Sequence, residues 1–238
     1  MTSVPSARPL RPELEPLPAR LSTLPVDARG YPVPWFVAWV DGQPDFRIAD
    51  GDKWRRAVRE SRCWICGGRL GRWLTFVIGP MCAINRTTTE PPAHTDCARY
   101  AARNCPFLVR PQMVRREDET VNADVHMREG AGTPLLRNPG VALLWTTHSF
   151  NVFHDRAGKP LIHVGKAEQV EWYAGGRRAT RAEVAASIDS GLPLLREVAA
   201  QQGPEALREL DRAWAAVLPL YPSETPRELS HASESGHS

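Results

Sequence analysis

Cys63-Trp64-Ile65-Cys66-Gly67-Gly68 and His94-Thr95-Asp96-Cys97 are the stretches on which the reading of this chain turns. In the first, two thiols three positions apart can grip one ion from a tight turn, and Gly67 permits the open backbone that aims amide N–H groups at the sulfurs. In the second, Pro91-Pro92 forbids helix beforehand, and the residues after it read as a helix over 95–104. A ligand just ahead of that helix and one three residues on face the same way, and the helix N-terminus favours thiolate charge. The spacing therefore predicts one closed site of Cys63, Cys66, His94 and Cys97, with Zn2+ as its structural ion. All five cysteines fall between positions 63 and 105. In a reducing compartment such clustering points to metal rather than to disulfides.

Some alternatives stay open at this level. Cys82 or Cys105 could replace His94 as the fourth ligand, although Cys105 lies about 12 Å along a continuous helix from Cys97. Both also suit buried, small apolar positions. The set could be reduced cysteines without metal, or an iron–sulfur site, which would ask for four thiolates.

Between the ligand pairs, Leu74-Thr75-Phe76-Val77-Ile78, the turn Gly79-Pro80 and Met81-Cys82-Ala83-Ile84 read as a β-hairpin. Knuckle, hairpin and ligand-bearing helix together resemble the treble-clef zinc finger over residues 63–104. A wider likeness rests on four runs: Arg29-Gly30-Tyr31-Pro32-Val33-Pro34-Trp35-Phe36, Phe76-Val77-Ile78-Gly79-Pro80-Met81-Cys82, Glu90-Pro91-Pro92-Ala93-His94 and Cys105-Pro106-Phe107-Leu108. Over about residues 25–220 the chain resembles an uncharacterised family of proteins from GC-rich bacteria and their phages. That likeness implies a prophage or accessory role and carries no activity or catalytic residue with it.

Around the zinc region the expected organisation is α+β. Residues 1–26 contain Pro5, Pro9, Pro12, Pro16, Pro18 and Pro25 and read as a disordered Pro-rich tail, with order beginning near Tyr31. The zinc-binding region spans 27–115. It opens with a strand at Val33–Val40, the turn Asp41-Gly42, a return strand at Phe46–Ile48, and a helix capped by Asp50 or Asp52. A linker or loop covers 116–140. A region at 141–222 then holds strands at Val141–Trp145, Phe150–His154 and Leu161–Val164, followed by three helices. Thr180 and Glu183 form a capping box for the first, which should stop at Gly191; Pro193 opens the second and Pro204 the third. Residues 223–238 read as a second disordered tail.

The net charge of +3 conceals a gradient. From Lys53 to Arg116, thirteen basic residues stand against Glu60, Glu90 and Asp96, while the remainder is net acidic. The candidate partner is therefore nucleic acid, met by Arg55, Arg56, Arg59, Arg62, Arg69, Arg72, Arg99 and Arg103, with Trp54, Trp64, Trp73 and Tyr100 available to stack on bases. The plain counter-reading is an Arg-rich GC bias with solvated side chains and aromatics in the core. A protein partner is the other binding option, through Trp172, Tyr173, Leu194, Leu195 and Trp214.

A metal-dependent nuclease or another enzyme of phage or mobile-element origin is the alternative to a binding or accessory module. His148-Ser149-Phe150-Asn151-Val152-Phe153-His154 carries the residue types of a His-Asn-His endonuclease, but on a strand Asn151 would face away from His148 and His154. There is no Walker loop and no Gly-x-Ser-x-Gly elbow, so no catalytic residue is assigned. With no apolar run of spanning length and no signal-peptide pattern at Met1–Pro5, the expected compartment is the cytoplasm, without membrane contact.

Overall fold

The computed structural model describes residues 9–110, 140–155 and 157–224. The first layer of structure is a hairpin, β1 (Val37–Val40) and β2 (Gln43–Ala49), paired antiparallel. Its turn residues Asp41 (φ 50°) and Gly42 (φ 74°) both adopt left-handed backbone, as a two-residue hairpin turn demands. Helix α1 (Gly51–Arg59) follows directly, because the Asp50 carboxylate accepts the orphan N–H groups of Asp52 and Lys53 at 2.9 and 3.1 Å. Its inward face carries Trp54, whose indole N–H donates to the Thr89 carbonyl at 2.7 Å.

The organising element is a four-stranded antiparallel sheet in the order β3–β5–β8–β9. These strands are β3 (Leu74–Ile78), β5 (Ala142–Thr147), β8 (Gln169–Ala174) and β9 (Arg177–Arg178). Every residue of β5 is buried, as befits a strand covered on both faces. On one face Phe76, Ile78, Leu143, Trp145, Trp172 and Ala174 join a core built with α2 (Pro80–Asn85), α5 (Arg181–Gln202) and α6 (Pro204–Val217). On the other face Leu144 and Tyr173 pack with the ligand cysteines and with α3 (Thr95–Asn104), which is followed by the single turn α4 (Pro106–Val109). A second sheet, β4 (Thr87–Thr88), β7 (Pro160–Val164) and β6 (Phe150–His154), leaves β6 at its edge. Because β3 pairs with β5, the regions on either side of residues 111–139 share one sheet.

Several expectations are corrected. Met81–Ile84 is helical in α2, not the return strand of a hairpin. Pro80 sits at the first helical turn, where its fixed φ starts a helix, and Met81, Ala83 and Ile84 bury on one side. The two breaks expected between the C-terminal helices reduce to one, at Gly203: α5 runs unbroken through Gly191 and Pro193, giving two helices where three were expected. Gly191 serves close packing and not termination, since a Cβ there would stand 2.8 Å from the Met81 sulfur. Strands β8 and β9 had no counterpart in the sequence reading. The Pro-rich segment is placed from residue 9 onward: Ala19–Leu21 forms a 3-10 turn, Leu21 is buried, and Val26 bridges Pro32. Prolines excluded helix but not order, because Leu17, Leu21 and Leu24 pack into the core on the zinc side. The linker read at 116–140 and the tail read at 223–238 lie almost wholly outside the described residues. The α+β class, the Thr180–Glu183 capping box and the helix at 95–104 are as expected.

Candidate metal centre

The first ligand pair sits on a turn closed by its own backbone. Cys63 N–H donates to the Gly68 carbonyl at 2.7 Å, Gly67 N–H to the Cys63 carbonyl at 2.8 Å, and Arg62 bridges Arg69. Gly67 has φ +74°, and a Cβ there would fall 2.7 Å from the Trp35 ring, so both backbone and packing demand glycine. The second pair approaches through a reciprocal backbone bridge between Ala93 and Thr75 (2.8 and 3.0 Å), while Trp64 N–H donates to the Pro92 carbonyl at 3.0 Å. These bonds fix where α3 begins. His94 is its N-cap residue, in extended conformation, and Cys97 lies one turn in.

The four ligand atoms of Cys63, Cys66, His94 and Cys97 all lie within 4.8 Å of one another. The His94 Nδ1 atom is 3.4 Å from Cys66 Sγ and 3.9 Å from Cys97 Sγ. A tetrahedral zinc with bonds of about 2.3 Å to sulfur has S···S edges of about 3.8 Å, so the set has the right size. The imidazole is oriented from behind: Nε2 meets the Arg69 carbonyl at 2.9 Å, which keeps the proton there and leaves Nδ1 for an ion. Backbone N–H groups of Cys66 and His94 both point at Cys63 Sγ at 3.4 Å. Hydrogen bonds from Cys66, then from Cys97, pull the Cys63 thiol well below its ordinary range against the opposing effect of burial. The Cys63 hydrogen bond in turn pushes the His94 imidazole up. Three sulfurs and one imidazole around a point supply the donor set of a structural Zn2+ site, and the single imidazole departs from the four thiolates of a common iron–sulfur cluster.

Cys82 and Cys105 stand apart from this group. Cys82 packs against the α2 side of the core and Cys105 ends α3. Burial pushes both thiols up. The cluster thus contains His94, and neither spare cysteine takes its place.

The arginines of the basic stretch divide into two groups. Arg55 pairs with Asp52, and Arg99 with Glu171 at 2.5 Å. Arg103 lies 3.5 Å from Glu15 and over the Tyr173 ring. Arg62, Arg59 and Arg56 converge on Glu60 at 2.6, 3.1 and 3.4 Å, and with the Arg62 hydrogen bond leading they hold its carboxyl down at about 2. Among the described residues Arg69 and Arg72 have no carboxylate partner. Of the aromatics offered for stacking, Trp54, Trp64 and Tyr100 are buried, and Trp73 alone is open, with half its surface exposed (50%). Trp172 and Tyr173 are likewise buried and Leu195 and Trp214 pack on the core, so of the proposed protein-binding set Leu194 alone is well exposed.

Glu171 was not singled out from sequence. Its carboxylate is buried on β8, meets Arg99 at 3.0 Å, Arg178 at 2.7 Å and the Tyr173 hydroxyl at 3.1 Å, and ties α3 to the sheet. Burial raises its carboxyl, and the Arg99 hydrogen bonds with the Arg178 charge outweigh that and hold it below the usual range. A lone charge in the apolar run Val170-Glu171-Trp172-Tyr173 was the available signal. The His-Asn-His residue types do not assemble: His148 contacts the Arg72 carbonyl (3.1 Å) and the Trp73 ring, while Asn151 and His154 are exposed on β6.

No helix among the described residues is long and apolar enough to cross a membrane. Compared with known proteins, the chain matches no family model, no curated protein and no solved structure.

Proposed function

We propose that this chain is a non-catalytic accessory module in which Zn2+, bound by Cys63, Cys66, His94 and Cys97, holds an arginine-rich knuckle face that binds nucleic acid. The observation that carries the reading is the crowding of Arg56, Arg59 and Arg62 on the single carboxylate of Glu60, with Arg69 lining the same shallow concavity and no second carboxylate there among the described residues. A site with that excess of guanidinium groups attracts phosphates. On this reading the finger is treble-clef-like, with its hairpin reduced to the Thr75–Ala93 bridge and α2 inserted between the two arms. The likeness to proteins of GC-rich bacteria and their phages fits an accessory role inside the cell, where thiols stay reduced.

Elemental analysis of protein purified without added metal should give about one zinc per chain, a closed four-ligand site binding one ion. Titration of a labelled oligonucleotide at increasing salt should give log K falling against log salt with a slope of about −3, the value for four or five phosphate contacts to a single strand. Absence of binding at low salt refutes the nucleic-acid reading. A protein partner is the second reading, supported by the edge strand β6, which exposes Val152 and Phe153 and has no Lys or Pro to block strand addition.

A further inference from the structure

We propose that Trp73, with Arg72 and His148 beside it, is a stacking site for one unpaired nucleobase, and that Arg69 and Arg72 take the phosphates next to that base. The ligand is then single-stranded nucleic acid. This rests on the nucleic-acid reading of the knuckle face and adds strandedness to it.

Trp73 lies on the short exposed loop that leaves the zinc knuckle and enters β3, where nothing covers half of its surface. The His148 ring lies 4.2 Å from the Trp73 ring, tilted by 41°, and the Arg72 guanidinium stands 5.7 Å from the ring centroid. An indole with an imidazole packed on it and a guanidinium over it, half of its surface still open, is what a base can stack on while its phosphate finds a cation.

The loop is also held in place by the metal centre. Arg69 presents its carbonyl to His94 Nε2 at 2.9 Å, and Arg72 presents its carbonyl to His148 Nδ1 at 3.1 Å. Leu70 between them is buried, with its N–H on the Ser61 carbonyl at 2.7 Å. The backbone is pinned while the Arg69, Arg72 and Trp73 side chains extend outward, exposed. Neither arginine is spent on a carboxylate among the described residues, in contrast to Arg55 and Arg99. An acidic peptide would answer the two cations and leave the indole uncovered; a nucleotide answers both. Duplex bases are already stacked and paired, so an indole platform selects the unpaired strand.

Fluorescence anisotropy on the zinc-loaded full chain tests this with three labelled probes: an oligothymidylate, a duplex of mixed sequence and an abasic strand of the same length. Wild type should prefer the oligothymidylate. Trp73→Ala should weaken that binding by about 5- to 150-fold, the stacking of one base, and leave duplex binding unchanged. Trp73→Phe should retain most of it, and Trp39→Ala, at an equally exposed tryptophan on β1, should change nothing. The abasic strand should bind wild type as weakly as Trp73→Ala does, a comparison that needs no variant to fold. Equal binding of all three probes with Trp73→Ala silent overturns the stacking site and leaves the phosphate reading standing. No binding of any probe at low salt overturns both. Polyglutamate binding as tight as the oligothymidylate overturns both in favour of a protein partner.

Discussion

Replacing Cys63 by Ser should weaken the metal centre enough for a chelator to empty it, loosening one side of the sheet while sparing the other. Cys63 is fully buried, and its sulfur is the common acceptor for the N–H groups of Cys66 and His94, one from each arm of the site. A structural zinc contributes on the order of 10–16 kcal/mol in small fingers. Shared among four ligands, the loss of one thiolate is worth about 3 kcal/mol, or roughly a 150-fold weaker site. The apolar residues that would have to substitute for the metal are fewer than on the opposite face: Leu21, Ile65, Leu70, Tyr100, Leu144 and Tyr173, with Ala93, Ala98 and Ala102. The opposite face of the sheet has its own core of Trp54, Phe76, Trp145, Trp172 and Ile188. In competition with a chelator the variant should lose its zinc where wild type keeps about one ion per chain. Amide exchange should accelerate over 62–73 and 94–104, and stay slow in β5, β8 and α5. Stoichiometric zinc together with unchanged protection at α3 would refute both the ligand assignment and the claim that metal carries this side of the fold.

Two further outcomes follow from single side chains. Gly67→Ala puts a Cβ 2.7 Å from the Trp35 ring at φ +74° and should cost about 2 kcal/mol or more, read as a lower melting temperature, while Gly71→Ala, with nothing within 4 Å, should be silent; equal melting of the two would contradict the knuckle geometry. Glu171→Gln should cost about 2 kcal/mol at neutral pH through its charged hydrogen bonds to Arg99 and its ion pair with Arg178. Because the folded carboxyl is held below its ordinary value of 4.5, the wild-type advantage is complete above that value and vanishes as pH falls through the lower folded one. A wild-type minus variant difference that stays constant down to acid pH would show that the carboxylate is not the source.

What was legible in the sequence was local. The capping box at Thr180, the Asp50 cap, the Asp41-Gly42 turn and the helix after Pro91-Pro92 each rest on a few adjacent residues, and each formed. The errors came where a distant partner decided. Met81–Ile84 has the short apolar pattern of a strand, and it became helix because α5 and α6 offered it a surface and Pro80 a start. Gly191 looks like a helix stop until Met81 is seen to need its missing Cβ. Val170–Tyr173 carries no clean strand pattern because Glu171 interrupts the apolar run, and the guanidinium groups that make that charge tolerable come from Arg99 and Arg178.

Charge shows the same division and bears directly on the site. Counted along the chain, the stretch from Lys53 onward is one uniform basic block. Folding breaks it up with carboxylates from elsewhere: Glu15 comes from the Pro-rich segment to Arg103, and Glu171 from β8 to Arg99. Those arginines hold layers of the protein together and have little left for a ligand. Near the knuckle, among the described residues, the carboxylate that answers Arg56, Arg59 and Arg62 is Glu60 alone, and one unit of negative charge cannot neutralise three of positive. Arg69 and Arg72 follow in the same loop without a carboxylate partner among the described residues. A block of eight candidate arginines therefore narrows to the five beside the metal centre, and His94 joins that surface to the site by holding the Arg69 carbonyl through Nε2 while Nδ1 faces the sulfurs. If the metal leaves, that carbonyl loses its anchor, so zinc content and oligonucleotide affinity should fall together on chelation.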